Sequence, residues 1–257
     1  MKTINDYFEK IYCINLERRP DRWEECVKEF EEYNLNVDRY DAADGNNFNP
    51  LSNLTSGQVA TIHSHLGVLQ KSKEENLSTV LIFEDDIKLH QDFNLLFDKW
   101  HSEIPNDWDM ILFGGNHCGN NPWSPGKLIK VTEHVYKVTY SLALHCYAVK
   151  NTVYDKLISA LSKMNNPADN AIATIQNEIN CYIIRPHIAW QRPSYSDLVG
   201  FFTDYVGLYD DRALIEGRPF GNGQLKRDDI RDKLDPTWQK IYDEQRQKYQ
   251  ESIKNVQ

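Results

Sequence analysis

Residues 80–86 read Val80-Leu81-Ile82-Phe83-Glu84-Asp85-Asp86, four apolar residues that stop abruptly at three carboxylates. A short apolar run rich in β-branched and aromatic side chains reads as a buried strand. In open α/β sheets ligands bind outside the carboxyl ends of the strands. Side chains alternate across a strand, so Glu84 and Asp86 share one side if the extended geometry continues. Two carboxylates so placed repel one another unless a cation or a proton relieves them. Mn²⁺ or Mg²⁺ is the natural partner, a hard ion that takes carboxylate oxygens and bridges substrate phosphates. The other reading is a solvated strand end or an acidic helix start. The metal reading outweighs it, because an uncompensated triplet beside a buried run is costly.

Working outward, strands are expected at 11–16, 37–40, 109–113, 131–138, 142–149 and 181–184. Helices are expected at 21–33, from Thr55 or Ser56 as cap to 73, and at 93–100. Two more are expected, one capped by Asn151 and running to 163, the other at 169–179. In the first helix Pro20 sits near the start, and Trp23, Val27 and Phe30 recur at helical spacing as an apolar stripe. Residues 116–130, with Trp123, read as loop. Alternating strands and helices argue for an α/β sandwich with a largely parallel or mixed sheet. The tail differs. Residues 198–230 show no clean period, and 236–254 read as a C-terminal helix with Trp238, Ile241 and Tyr242 on one edge. It is expected to lie on the main domain or to build a homodimer. The tail aromatics, Tyr205 among them, either pack it down or contact an acceptor.

A chain of 257 residues allows one large domain or two small ones. With 29 basic and 38 acidic residues the net charge is −9, which disfavours a nucleic-acid binder. The five cysteines (Cys13, Cys26, Cys118, Cys146 and Cys181) form no CxxC pair. They read as small buried hydrophobes rather than a zinc knot, and point to a reducing compartment. The first ten residues lack the apolar core of a signal peptide. No run reaches the ~18 apolar residues of a membrane helix. A cytoplasmic location is therefore expected, with peripheral contact to a membrane-held acceptor left open. Two glycosylation sequons, at Asn53 and Asn76, read as chance matches.

Several polar residues interrupt or follow the apolar runs. Asn15 ends the first strand, and Arg18, Arg19 and Arg22 follow it. Arginine offers a planar fork suited to phosphate; the alternative is surface pairing with Glu24 and Glu25. His63 and His65 lie two apart in a helix and cannot face the same way. Asp169 is either a helix N-cap or a general base over the sheet edge. His187 is either a structural histidine or a third metal ligand.

These residues carry a resemblance. The opening Ile14-Asn15-Leu16-Glu17-Arg18-Arg19-Pro20-Asp21-Arg22-Trp23, then Ala42-Ala43-Asp44-Gly45, Ser64-His65-Leu66 and the block at 81–87 occur in the order found in glycosyltransferase family 25. Weaker blocks follow at 141–149, Pro167-Ala168-Asp169, and Pro186 with Gln191 and Ser196. The chain resembles this family, which includes lipopolysaccharide-sugar transferases and collagen galactosyltransferases, over residues 9–197.

The resemblance implies a GT-A type, Rossmann-like α/β/α sandwich with a mixed, mainly parallel sheet and a C-terminal helical extension. Residues 1–200 would form the catalytic domain and 201–257 an appendage. It further implies an inverting, metal-dependent transfer of galactose or glucose from a UDP-sugar to a hydroxyl of a saccharide or hydroxylated protein. Asp86, Glu84 and His187 would hold Mn²⁺ or Mg²⁺. Asn15, Arg18, Arg22, Asp44 and Asp85 would contact the nucleotide. Asp169, or less favourably His65, would be the base. Competing expectations are a nucleotide-sugar or glycan binder of the same fold without turnover, a metal-dependent phosphohydrolase, and a glycosidase. The last needs carboxylates ~5–9.5 Å apart, which the adjacent triplet alone cannot supply.

Overall fold

In a computed structural model the protein is described over residues 2–116, 126–198 and 201–203. In chain order the elements are β1 (Lys10–Asn15), α1 (Pro20–Glu32), β2 (Asp38–Asp41), α2 (Ser56–Glu74), β3 (Thr79–Glu84), β4 (Ile87–Leu89), α3 (Phe93–His101), β5 (Met110–Leu112), β6 (Leu128–Lys130), β7 (Val135–Val138), β8 (Cys146–Lys150), α4 (Tyr154–Ser162), α5 (Ala168–Ala173), β9 (Cys181–Ile184), β10 (Ala189–Gln191), β11 (Ser194–Ser196) and β12 (Phe201–Thr203). Eight strands form one sheet in the order β2-β1-β3-β8-β5-β9-β7-β6. β4 pairs with β10, and β11 with β12, as separate two-stranded ribbons.

Strand parity builds the two cores. In β3, Val80 and Ile82 point to the face covered by α2, α4 and α5, where Val59, Ile62, Leu69, Leu157 and Ile172 pack. Leu81 and Phe83 point to the opposite face, among Cys26 and Phe30 of α1 and Phe93, Phe97 and Trp100 of α3. All four β3 residues are 0% exposed. At about 1.5–3 kcal/mol for each large apolar side chain removed from water, this central strand anchors both layers. The result is an α/β/α sandwich. α2 starts with a capping box, Thr55 Oγ1 accepting from Gln58 N at 3.2 Å and Gln58 Oε1 accepting from Thr55 N at 2.9 Å. α1 has Pro20 at its first position, where a missing N–H costs nothing.

The sheet is not mainly parallel, and that expectation is corrected. β1 pairs with β2, β1 with β3 and β5 with β9 in parallel, whereas β3–β8, β5–β8, β7–β9 and β6–β7 are antiparallel. Helical crossovers govern the first half of the chain. β8 then slots between β3 and β5 in the reverse direction, and β6 joins β7 as an antiparallel edge pair. β6 falls in the stretch read as loop, because three residues are too few to show a period. Asn151 does not cap α4: its N–H bonds Ser78 O at 3.0 Å, prolonging the strand contact, and α4 begins at Tyr154. The expected helix at 169–179 divides into α5 and a 3₁₀ turn, Gln176–Glu178.

Cys13, Cys26, Cys146 and Cys181 are free and buried. Among the described residues no helix is long and apolar enough to cross a membrane. Cys118, Trp123, Tyr205, the expected helix at 236–254 and the appendage beyond 203 lie outside the described residues.

One close approach fixes the sheet edge beneath the acidic triplet. A Cβ on Gly114 would lie 2.1 Å from Ala189 O and 2.8 Å from His145 Nε2. Gly114→Ala is expected to cost about 2 kcal/mol by forcing β10 outward. In urea unfolding the midpoint should fall at unchanged slope. An unmoved midpoint would show that this approach is not tight.

Candidate functional site

The parity that sorts the core also sorts the triplet. Glu84 continues the Ile82 side and meets α2: His65 Nε2 donates to Glu84 Oε1 at 3.0 Å, and His65 Nδ1 faces the Tyr147 hydroxyl at 2.9 Å. A carboxylate only accepts, so the consistent tautomer has the proton on Nε2 and Nδ1 accepting from Tyr147. His65 is 1% exposed with both ring nitrogens engaged. It holds Glu84 with one ring nitrogen and Tyr147 with the other. His63, on another side of the helix, stacks on Phe48 with ring centroids 4.7 Å apart.

Asp85 continues the Phe83 side and meets α1. It accepts from Asn15 Nδ2 at 2.7 Å and from Arg22, while its carbonyl accepts from Arg192 Nη2 at 2.9 Å. Burial pushes the Asp85 carboxyl up, against the pull of Arg22. Asn15 is 1% exposed and also donates to Arg19 O at 3.2 Å and accepts from Arg39 Nε at 3.0 Å. Its side chain is fully used in holding Asp85 and Arg39, and it does not line the cleft described below.

Asp86 lies just past the strand. Burial pushes its carboxyl up; Arg22 opposes this and Glu84 adds to it. Its Oδ1 is buried with no hydrogen-bond partner among the described residues. The β4–β10 ribbon sets Gln191 opposite Ile87, next to Asp86. Gln191 Nε2 then lies 3.5 Å from Glu84 Oε2 and 3.5 Å from Asp86 Oδ2, so these two carboxylates share a neighbour. Nearby, burial pulls the His145 ring from 6.5 down to about 4, and its Nε2 donates to Ala189 O at 3.2 Å.

A cleft of about 350 Å³ opens over this strand end, within the range of small-ligand sites. Arg18, Arg22, Asp44, His65, Glu84, Asp85 and Asp86 all line it. Its far wall is the Asp44 turn, fixed by Asn46 N to Asp44 Oδ1 at 2.9 Å and by Ala43 N to Ser64 Oγ on α2 at 2.9 Å. The arginines at its mouth are already committed to carboxylates. Arg18 bonds Asp44 at 2.8 Å and also Asp197, Arg19 bonds Asp21 at 2.7 Å and Asp197, and Arg22 bonds Asp85 and Ser194 Oγ at 2.7 Å. Burial would raise the Asp197 carboxyl, but Arg18 and Arg19 outweigh it and hold it low. Asp44 is held low by the Asn46 N–H and then by Arg18.

A second cavity, about 280 Å³, is lined by Asp169 with Ala143, Leu144, Pro167 and Ala168. It shares Thr61, Glu84, Gln191 and Leu198 with the cleft. Asp169 is not the helix cap, since Pro167 holds that position. Its carboxylate accepts from Asn170 N at 2.8 Å and Ala143 N at 3.5 Å, and burial pushes it up. Ala143 is in the left-handed region, φ 74°, a conformation that costs energy for a residue with a Cβ. His187 lines neither cavity; it is buried with its ring 6.2 Å from that of Trp190.

Among the described residues no three His, Cys, Asp or Glu side chains are arranged to hold a metal ion. The pair Glu84 and Asp86, with the orphaned Oδ1, fits a smaller demand. Mg²⁺-like ions bind through one or two carboxylates plus substrate phosphates rather than in all-protein cages. Glu84 and Asp86 are thus the residues that would hold such an ion.

Two contributors are not evident from the sequence as site residues with these roles. Asp197 lies almost 180 positions from the arginines it clamps, |i−j| = 179 for Arg18. Gln191 is positioned by two three-residue strands.

The profile of glycosyltransferase family 25 (LPS biosynthesis protein) matches residues 8–172. A glycosyltransferase 25 family member of Aedes aegypti is 25% identical over 77% of this chain and 36% of its own length. Procollagen galactosyltransferase 2 of Mus musculus is 25% identical over 60% of this chain and 28% of its own. Inactive glycosyltransferase 25 family member 3 of Homo sapiens is 27% identical over 42% of this chain and 22% of its own. The chain spans about a third or less of the length of these curated relatives.

Proposed function

The chain belongs to glycosyltransferase family 25, and from that premise we propose that its cleft binds a UDP-hexose and passes the hexose, with inversion, to a hydroxyl in the second cavity. The observation that carries this reading is the junction. Glu84 and Gln191 line both cavities, so the carboxylate end of β3 stands between a cleft of about 350 Å³ and a smaller cavity with a buried carboxylate, Asp169.

In this reading Asp86 and Glu84 hold Mn²⁺ or Mg²⁺. When bound, the ion stabilises charge on the departing diphosphate as a Lewis acid. His65, braced by Tyr147, keeps Glu84 turned into the cleft. Asn15 and Arg22 fix Asp85 and with it the path of the chain into Asp86. Arg18 reaches the donor phosphates by giving up Asp197. Asp169 takes the proton from the acceptor hydroxyl as the hydroxyl attacks from the face opposite the leaving group. The acceptor in this reading is a hydroxyl of a saccharide or of a protein chain, in keeping with a family described as an LPS biosynthesis protein and a relative named procollagen galactosyltransferase 2.

A second reading is a nucleotide-sugar or glycan binder of the same fold without turnover. Two observations favour it: the lack of a three-ligand metal cluster among the described residues, and a relative that is itself named inactive. Incubation with UDP-galactose or UDP-glucose and Mn²⁺, without acceptor, separates the two. A transferase is expected to leak free hexose and UDP to water, and to stop on chelation. Tight UDP binding with no hexose released would establish the binder and end the transferase reading. Phosphate release from simple phosphoesters would point to a hydrolase instead.

A further inference from the structure

We propose that Leu198 covers the hexose at the junction of the two cavities and keeps water off the reacting carbon, so that the sugar passes to an acceptor hydroxyl rather than to solvent. This deepens the reading of the cleft as a nucleotide-sugar site and rests on it; the hold on the hexose applies equally to a binder without turnover.

Thr61, Glu84, Gln191 and Leu198 line both cavities, and Leu198 is the apolar one of these. It is 43% exposed although it lines two cavities. Among the described residues Leu51, Leu95, Ile129, Val131 and Tyr195 are large hydrophobics left comparably open, and none of them lines either cavity. The chain before Leu198 is pinned. β11 pairs with β12, and Ser194 Oγ accepts from Arg22 Nη2 at 2.7 Å. Asp197 then meets Arg18 and Arg19. Arg19 lines neither cavity, so it retains Asp197 when Arg18 turns to phosphate. Leu198 comes down on the start of α2, where Gly57 leaves it room: a Cβ there would lie 3.2 Å from Leu198 Cδ1. With donor phosphates at Arg18 and the base at Asp169, the hexose lies between them, at the shared residues. A pyranose presents a face of C–H bonds, which an apolar side chain covers, while its hydroxyls suit Thr61, Glu84 and Gln191. The same cover suppresses a side reaction. In it a water oxygen bonds the anomeric carbon, the carbon–diphosphate bond breaks with its electron pair on UDP, and the water proton goes to Asp169.

Leu198→Ala opens the junction directly, and the half-open position of Leu198 means the fold should survive. Gly57→Ala disturbs the junction from the other side, because the added Cβ meets Leu198 Cδ1 first. Calorimetry with Mn²⁺ reads the affinity for UDP and for UDP-galactose or UDP-glucose, and free hexose is assayed at saturating donor without acceptor. In the wild type the UDP-hexose should bind tighter than UDP. Leu198→Ala should leave UDP affinity unchanged and lower UDP-hexose affinity roughly tenfold. Hexose release into water should rise by a similar factor. Gly57→Ala should move both in the same direction, by less. A merely structural role for Leu198 would instead lower UDP affinity and slow release, and that result overturns the proposal. A wild type that releases hexose, beside a Leu198→Ala variant that neither loses hexose affinity nor gains release, also overturns it and leaves the transferase reading standing. Silence of both proteins in the release assay, with UDP bound, ends the transferase reading and the water barrier together; the affinity difference then upholds or refutes the hexose contact. Failure of the wild type to bind UDP removes the nucleotide-sugar reading and this proposal with it.

Discussion

Asp86→Asn should lower Mn²⁺-dependent affinity for UDP by roughly 100-fold or more, a larger loss than is usual for groups that only support a metal ligand. The expectation comes from one atom. Asp86 Oδ1 is buried and without a hydrogen-bond partner among the described residues, a state that a native structure rarely leaves unexplained. Burial pushes the carboxyl up and Glu84 adds to that push, while Arg22, 3.6 Å from Oδ2, pulls the other way and leaves Oδ1 without a partner among the described residues. A bound divalent ion would give that oxygen the partner it lacks. Asparagine keeps the shape and removes the charge, so the fold should survive, and relief of repulsion with Glu84 should leave the melting temperature in metal-free buffer unchanged or higher. Calorimetry with UDP, with and without Mn²⁺, reads the effect. Undiminished, still Mn²⁺-dependent affinity in the variant would remove Asp86 as the ligand.

The three carboxylates look alike in the sequence, and strand parity separates them. Alternation along β3 was legible, and it assigns Glu84 to one face and Asp85 to the other. What lies on each face was not. Arg22, which takes Asp85, and His65, which takes Glu84, belong to helices whose placement over the sheet depends on pairing and packing far along the chain. The same limit explains the sheet. Buried strands read as apolar runs whichever way they point, so no pattern within 142–149 announced that β8 would enter antiparallel between β3 and β5. The arginines after β1 read either as a phosphate site or as surface pairs with Glu24 and Glu25, and their clamp on Asp197 could not be read because that partner is remote in sequence. Charge complementarity of that range has no period. Asn15 was noticed as a polar residue ending an apolar strand, which is a sound signal of a buried hydrogen-bonding duty; its partner turned out to be a carboxylate of the site rather than a ligand.

Asp169→Asn should leave UDP affinity unchanged and lower hexose release roughly 10²- to 10⁴-fold, the range of a lost general base. Asp169 lines the second cavity and not the cleft, so the variant leaves the nucleotide's surroundings intact. Its two backbone donors bond different oxygens, Asn170 N to Oδ1 at 2.8 Å and Ala143 N to Oδ2 at 3.5 Å, so the asparagine oxygen keeps the shorter bond and gives up the longer one. Burial raises the carboxyl above its usual range, which makes the anion a stronger base than an exposed aspartate. Glu84 raises it further, and His65 pulls the other way. The base form must be present for transfer, so wild-type turnover should fall as pH drops through this raised value. The variant should lose that acid limb along with most of its rate. Water serves as the acceptor in this measurement, so free hexose is the readout and no natural acceptor is required. Release at the wild-type rate would take the proton away from Asp169. Since His65 has both nitrogens engaged at 1% exposure, no other buried titratable group shared by the junction would then be placed to receive it among the described residues except Glu84, and Glu84→Gln would become the variant to make.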